Sequence, residues 1–479
     1  MRRPCSALLA LAAAAAAARA NPAESPAADG AVFAGVTGAS TSNVTSNPAT
    51  LMRLVPGVHF FAGSTVSVDQ LTIARRTVDP DTGALGPGPT VRGTTTGVGL
   101  TVGVATTSSR GMFAVTAALR PPDETLADPA LAYHTRGSRT RRIDWATLSG
   151  GFALTSRLYL GLAGTLADRA QVVAFARDTA LAAGHDPLRG VGSDCGGAPC
   201  GLEDPAATEL WSVTATPSSL VTIDNLMYTV GLMARLPGGV WVGLATERPW
   251  RVGDFRMVGT ATVVAAPRDG GATHTGEAVV IQRLPEVIRL GARGPLGRAL
   301  ELTAEARWRR IERTSAVDLR VFGGDVREAD VPEATVRPRG LQDAVAVEVG
   351  LEQAPLDRAH PERRWRFGGR LGFDSGAVAA DRLSARAPWG AQLSAAVGTE
   401  VKLASWTLQL GYRFDLGLPG TAAPGAYDPT AGLACVDSSF DFDLPACATL
   451  RAGYGTSTAA GDYSRLSHTA RLTAEYLLP

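Results

Sequence analysis

The mature part of this chain lacks any stretch reaching the roughly 18 consecutive apolar residues of a spanning helix, so no transmembrane helix is expected. Charge of one sign is missing too. Lys and Arg number 46 against 45 Asp and Glu, a net charge of +1, which argues against a nucleic-acid binder. Aromatics make up 6%, and histidine occurs six times, at 59, 134, 185, 274, 360 and 468. None of these His lies in a HExxH or G-x-S-x-G setting, so no metalloprotease or serine-hydrolase signature is present. Cysteine is scarce, and Cys5 falls in the leader, too early for a lipoprotein cleavage box. The other four form two local pairs, Cys195 with Cys200 and Cys435 with Cys447. In an exported chain such pairs read as two disulfides. Metal binding is the weaker reading, because neither pair has CxxC spacing or a neighbouring His. No cofactor or metal is expected.

What is present begins with an export signal. Met1-Arg2-Arg3 is basic, Ser6 to Ala18 is a small-residue apolar run, and Ala18-Arg19-Ala20 is an A-x-A cleavage site. Residues 1–20 therefore read as a signal peptide, with the mature chain starting at Asn21. Fifty-four Gly and thirty Pro are spread along the sequence, as many turns require. No linker divides it into domains.

The rest alternates with period two. Leu300, Leu302, Ala304, Ala306 and Trp308 interleave with Glu301, Thr303, Glu305, Arg307 and Arg309. Similar alternation runs through Val345–Glu352, Trp365–Phe373, Trp406–Phe414 and Gly97–Val104. Period two means strands with one apolar and one polar face. A soluble sandwich has the same alternation. The signal peptide, the connector lengths and the aromatic strand ends together favour a barrel: short turns (Pro237-Gly238-Gly239, Gly294-Pro295-Leu296-Gly297, Leu403-Ala404-Ser405) alternate with connectors of tens of residues. Transmembrane barrels keep that rhythm, with tight periplasmic turns and long external loops. Trp308, Trp365, Trp406, Phe414 and Tyr476 fit interfacial girdles. The expectation is an all-β, antiparallel transmembrane β-barrel of about fourteen strands. These fall near 58–74, 93–106, 111–120, 141–155, 157–170, 221–236, 239–250, 276–293, 298–311, 341–353, 364–376, 389–402, 405–416 and 465–478. An even count puts both termini on the periplasmic side of an outer membrane. Both Cys pairs then fall in external loops. Phe255–Val264 reads as a further hairpin strand above the membrane.

Residues 21–57 do not alternate. A barrel this wide has a lumen that wall side chains cannot fill, so this segment is expected inside it as an N-terminal hatch, with residues 58–479 forming the barrel and its loops. Asn43-Val44-Thr45 matches a glycosylation acceptor but carries no weight inside such a hatch.

Ser46-Asn47-Pro48-Ala49, followed by Leu51, resembles the hatch motif of the FadL-type outer-membrane transporters. Leu226 to Ala245, with Gly231, the Pro237-Gly238-Gly239 turn and Val242-Gly243-Leu244, is similar to a hairpin of that family. Leu284-Pro285-Glu286 to Gly291, Trp365 to Phe373 and Leu410-Gly411-Tyr412 resemble it as well. The chain departs from the pattern at its end, Tyr476-Leu477-Leu478-Pro479, which lacks the usual terminal aromatic.

The resemblance implies passive uptake of hydrophobic small molecules, such as long-chain fatty acids or aromatic hydrocarbons. A pocket beside the hatch and lateral release into the membrane lipid would follow. Val66 and Val68 should face lipid, which turns Phe61 inward. Phe33, Leu51, Met52 and Phe61 are the candidate pocket residues; packing of the hatch against the wall is the alternative for each. Arg307, Arg366 and Arg370 are candidates for holding a carboxylate. The alternative is an ion-pair network with Glu301, Glu305, Glu348 and Glu352, extended by Arg309 and Arg413. Gly111 to Arg120 matches in order the strand whose kink opens the family's wall, though it carries no internal kink signal. Three other readings stay open: a general diffusion porin, an outer-membrane hydrolase and a purely structural or adhesive barrel.

Overall fold

The computed structural model describes residues 32–78, 85–119, 123–124, 137–178, 208–217, 226–250, 254–267, 270–312, 316–327, 334–338, 341–354, 364–380, 383, 388–422 and 460–478. The leader lies outside the described residues. So do both cysteine pairs: Cys195 and Cys200, read as one disulfide, and Cys435 and Cys447, read as the other, are all outside them. In chain order the strands are β1 (Gly57–Val78), β2 (Leu85–Thr107), β3 (Gly111–Leu119), β4 (Asp123–Glu124), β5 (Gly137–Ala153), β6 (Leu158–Asp178), β7 (Thr208–Pro217) and β8 (Leu226–Arg235). Next come β9 (Trp241–Pro249), β10 (Asp254–Val264), β11 (Thr273–Arg283), β12 (Glu286–Leu296), β13 (Leu300–Arg310), β14 (Ala316–Phe322) and β15 (Ala334–Pro338). The last are β16 (Ala344–Gln353), β17 (Trp365–Asp374), β18 (Gln392–Leu403), β19 (Trp406–Gly417), β20 (Gly420–Ala422) and β21 (Gly461–Leu478).

The wall is a closed antiparallel barrel of 14 strands. Its order is β1, β2, β3, β5, β6, β8, β9, β12, β13, β16, β17, β18, β19, β21. Closure is made by β21 on β1, from Val58 opposite Leu478 to Arg75 opposite Gly461. Closing the ring removes every free sheet edge, the condition for strands to cross a membrane. The alternation sets which face each residue takes. Leu371 is 69% exposed and Val397 61%, and Leu302, Val349, Phe367 and Leu410 join them on the outer face. Thr303, Arg309, Glu352 and Arg366 are buried on the inner face. An outer face this apolar and this exposed is what a lipid-facing wall requires.

The connections on one rim are tight. Ala404 takes a left-handed φ of 53° in the two-residue turn from β18 to β19, and Gly238 and Gly239 take 79° and 82° between β8 and β9. Glycine has no Cβ to clash in that region. Gly294-Pro295-Leu296 is not turn but the end of β12; Gly297 (φ 76°) begins the turn.

Three expectations need correcting. The eighth strand, read as 276–293, is two. Leu284-Pro285 breaks it, because proline has no N–H to give a central ladder. Thr273–Arg283 leaves the wall, and the wall strand starts at Glu286. Second, the stretches read as the connectors 171–220, 251–275 and 312–340 contain strand structure. The upper end of β6 pairs with β7, and the ladder continues through β10, β11, β14 and β15. Phe255–Val264 does form a hairpin strand, within β10. This external sheet has its own core, including Trp211, Val213, Phe255, Met257, Leu319 and Val321. Third, β1 and β2 extend to Val78 and back to Leu85, so the first connector is shorter than 75–92.

Candidate functional site

Residues 32–51 are almost all buried, although they lie in no strand. Two short 3-10 turns, Thr41–Val44 and Pro48–Arg53, fold them. Local side chains explain the turns. Ser40 caps the first by accepting from the Ser42 amide at 3.2 Å. Asn47 caps the second by accepting from the Ala49 amide at 3.1 Å, and Pro48 stands where its missing N–H costs nothing. Asn43 staples the loop: its Oδ1 accepts from the Gly35 amide at 3.0 Å and its Nδ2 donates to the Gly38 carbonyl at 2.6 Å.

The wall holds this segment from many sides. Thr41 donates to Glu475 at 2.9 Å, and Arg471 donates to Ser42 at 2.9 Å, both from β21. Thr229 of β8 donates to the Thr45 carbonyl at 3.2 Å. The Val36 amide donates to Glu305 of β13 at 3.3 Å, and Arg370 of β17 donates to the Ala34 carbonyl at 2.6 Å. Contacts spread over strands so far apart in the ring place the segment in the lumen. Asn47 Nδ2 also donates to the Val36 carbonyl at 2.7 Å, so the Asn-Pro motif ties the segment to itself.

Glycines in the wall make the room. A Cβ on Gly231 would collide with Asn47, one on Gly161 with Pro48 and Ala49, and one on Gly243 with Val36. On the far wall, Cβ atoms on Gly368 and Gly398 would come within 3.0 Å of Val32. Gly231 and Gly243 are the two strand glycines of the hairpin singled out in the sequence, and the lack of a Cβ at each is what admits the segment.

Charge is spread unevenly over the lumen, and β1 and β21 carry the pairs His59 with Glu475 at 2.8 Å and Asp69 with Arg465 at 2.6 Å. From β9 to β19 the lumen carries a network centred on Glu352, which is 1% exposed. Arg293 reaches Glu352 at 2.7 Å, Arg366 at 2.9 Å and Arg370 at 3.1 Å. Arg293 also meets Glu301 at 3.1 Å. Glu348 receives Arg307 at 2.7 Å and Arg413 at 2.6 Å, and Arg309 pairs with Asp374. Arg53, the last residue of the second turn, donates to the Thr37 carbonyl and stacks 4.4 Å over Trp241. Burial, then Arg293, draws its pKa down to about 10, so it is still a cation at neutral pH. From β2 to β8 the inner face at the height of the segment is instead Ala105, Ala114, Thr116, Thr147, Ser149, Thr165 and Thr229.

The sequence candidates separate across the lumen. Leu51 and Phe61 meet in one apolar cluster with Val44, Ala105, Met112 and Ala114, against which Met52 and Leu54 pack. Phe61 points inward, as expected from Val66 and Val68. Phe33 lies apart, buried beside Gly368 with the Arg366 guanidinium 4.5 Å above its ring. Arg307, Arg366 and Arg370 all sit in ion pairs, the alternative weighed for them. Arg53, Arg293 and Glu400 belong to the same assembly but were not singled out. Arg289 and Arg293 do alternate with Ile288, Leu290 and Ala292, a signal hidden when the two strands were read as one.

Leu51→Ala should cost about 2–5 kcal/mol, the range for truncating a fully buried leucine. It should appear as a lowered temperature for loss of the compact, detergent-resistant form on gels. Half-buried Met52 should lose less on the same change, and equal losses would mean the two positions are packed alike.

No family model and no curated protein matches the sequence. Solved structures do match the fold. A Pseudomonas aeruginosa FadL homologue aligns with TM-score 0.67 and 14% identity over 93% of this chain and 95% of that one. The P. putida toluene transporter TodX aligns with TM-score 0.60 and 14% identity, covering 96% and 98%. The Ralstonia pickettii toluene transporter TbuX aligns with TM-score 0.58 and 13% identity, covering 96% and 99%. The closed barrel, its strand order and its lumenal segment thus go with one conclusion: this chain has the fold of the FadL-type transporters.

Proposed function

We propose that the protein lies in an outer membrane and passively admits hydrophobic molecules, such as long-chain fatty acids or aromatic hydrocarbons, through an occluded barrel. The rim with the tight turns and both ends of the wall faces the periplasm, and residues 21–57 act as the hatch. The observation that carries this reading is the buried lumenal segment, anchored to strands around the ring and backed by the apolar cluster of Leu51, Phe61 and Met112. A water-filled pore offers an apolar solute no favourable environment, whereas an apolar-lined site does. A general diffusion porin needs an open constriction, which a segment filling the lumen opposes. Phe33, Leu51, Met52 and Phe61 remain the proposed ligand contacts beside the hatch. The pairs Cys195 with Cys200 and Cys435 with Cys447 are proposed as disulfides on the external side.

Release sideways through the wall is part of the proposal. In its support, β3 is only 9 residues long, and the β3–β5 ladder shifts register between Thr116 and Ala118. The β5–β6 ladder shifts between Asp144 and Ala146, so Trp145 is the extra residue of β5 there, and Trp145 with Ala146 stands opposite Ala117 in the β3–β5 ladder. A bulge of this kind weakens the local ladder. Cells expressing the protein should take up labelled toluene or oleate faster than vector controls, and mild detergent extracts should carry co-purified apolar molecules detectable by mass spectrometry. Uptake of both compounds at the control rate, with no bound apolar molecule, would sink the proposal.

A further inference from the structure

We infer that the rim carrying the tight turns is a docking surface for anionic phospholipid head groups, held by a ring of cations without carboxylate partners. Six connections join wall strands on this rim. Among the described residues each carries one cation: Arg110 between β2 and β3, Arg157 between β5 and β6, Arg235 at the end of β8, Arg298 between β12 and β13, Arg364 before β17, and Lys402 near the end of β18. All six are exposed. No described residue of these connections is Asp or Glu, although cations and carboxylates are nearly equal over the whole chain, 46 against 45. Carboxylates at this end of the wall point into the lumen and are engaged there: Glu301 by Arg293, Glu400 by Gln409, and Glu475 by His59 and Thr41. Among the described residues no ion pair joins any of the six cations to a carboxylate. Toward the opposite rim the cations do have such partners, as Arg76 with Asp462 at 3.4 Å, and Arg248 and Arg310 with Glu286 at 3.5 and 3.8 Å.

Height and distribution choose the partner. Each cation lies within three residues of a large exposed apolar side chain: Phe113, Leu154, Leu236, Leu296, Trp365 or Leu403. Those side chains belong in hydrocarbon or at its edge, so the cations beside them stand at the level of the head groups. A guanidinium takes a phosphate bidentately, and an ammonium takes it as a point charge. A phosphodiester without an amine in the same head group keeps its full negative charge, so an anionic phospholipid gains more from the ring than a zwitterionic one. Arg235 also lies over the Trp241 ring at 5.6 Å, a contact that leaves its charge uncompensated by any carboxylate. A protein partner would meet one side of the barrel, whereas these connections run around the wall from β2–β3 to β18–β19. A lipid leaflet surrounds the barrel in that way. Under the sidedness proposed above it is the periplasmic leaflet. The inference goes beyond transport, because it concerns the outer edge of the wall and no part of the lumen.

The test reconstitutes the full chain in phosphatidylcholine vesicles with a trace of spin-labelled lipid and reads, by electron spin resonance, the fraction held motionally restricted against the wall. Spin-labelled phosphatidylglycerol should associate several-fold more strongly than spin-labelled phosphatidylcholine. The excess should vanish in about 1 M salt, where the screening length falls to about 3 Å. Exchanging all six cations together (Arg110→Gln, Arg157→Gln, Arg235→Gln, Arg298→Gln, Arg364→Gln and Lys402→Gln) should abolish it. Arg76→Gln with Arg92→Gln, toward the opposite rim, should leave it in place. Folding of each variant is checked by the heat-dependent shift on gels. If the sixfold variant does not fold, two triple variants replace it, one at 110, 157 and 235 and one at 298, 364 and 402, and each should lose part of the excess. Loss of the whole excess in a single triple variant would mean a local site and overturn the ring. Equal association of the two lipids with the wild type overturns the inference outright. Neither result touches the transport reading, which stands or falls on uptake.

Discussion

Gly231→Leu should turn a nearly silent barrel into a conducting one. In planar bilayers the wild-type protein should pass little steady current if the segment containing Val32–Leu51, which is bonded to strands around the ring, acts as the proposed hatch. At Gly231 even a bare Cβ would collide with the Asn47 side chain, and a leucine adds three further carbons. Asn47 cannot yield cheaply. It caps the second turn through Ala49 and donates to the Val36 and Leu232 carbonyls at 2.7 and 3.4 Å. Displacing it removes a cap worth about 1 kcal/mol and leaves buried polar groups unpaired at about 1–3 kcal/mol each. The wall is held by a continuous ladder on both sides, so the segment and not the strand should give way. Gly164→Ala is the control, since its Cβ would sit 3.9 Å from the nearest atom, Leu226. It should stay silent, and deletion of residues 32–54 should set the upper limit of current. A Gly231→Leu barrel that folds and stays closed would show that this contact does not hold the segment in place.

The second large effect is expected at Glu352. Glu352→Gln keeps the volume but removes the charge shared by Arg293, Arg366 and Arg370. Their remaining carboxylates are mostly farther off: Arg366 has Glu301 at 3.8 Å and Glu400 at 3.9 Å, and Arg370 has Glu348 at 3.8 Å. Breaking one side of a buried ion pair costs about 3–5 kcal/mol, because the partner charge is left uncompensated. A centre serving three guanidiniums belongs at the upper end. The loss should also reach the lumenal segment, since Arg370 holds the Ala34 carbonyl and Arg366 covers Phe33. Urea unfolding into a lipid mimic, followed by the gel shift, reads the effect. The double change Glu352→Gln with Arg293→Gln should recover part of it by removing one stranded cation. An unchanged midpoint for Glu352→Gln would mean that water or the other glutamates already satisfy the arginines.

Much of this was readable from local pattern. The faces of Leu300–Arg309 and Val345–Glu352 follow from alternation alone, because successive strand residues point to opposite sides. The inward turn of Phe61 follows by parity from Val66 and Val68. Matched Glu and Arg on neighbouring inner faces already suggested an ion-pair network. Residues 21–57 stood out as the part that cannot be wall. Other features were not readable because their cause is distant in sequence. Strands β7, β10, β11, β14 and β15 carry ordinary apolar residues, and only their mutual pairing reveals a sheet. The extra residue at Trp145 shows in register, which exists only between two strands. That Glu352 serves three arginines depends on which strands become neighbours.

The sequence by itself determined a barrel of alternating strands with a segment left to fill it, because period-two patterning, tight-turn residues and an Asn-Pro cap act over a few residues. Only the tertiary structure decided which wall glycines receive that segment and which carboxylates each arginine meets. Those outcomes depend on closure, which brings β1 against β21 and sets the register of every strand between them.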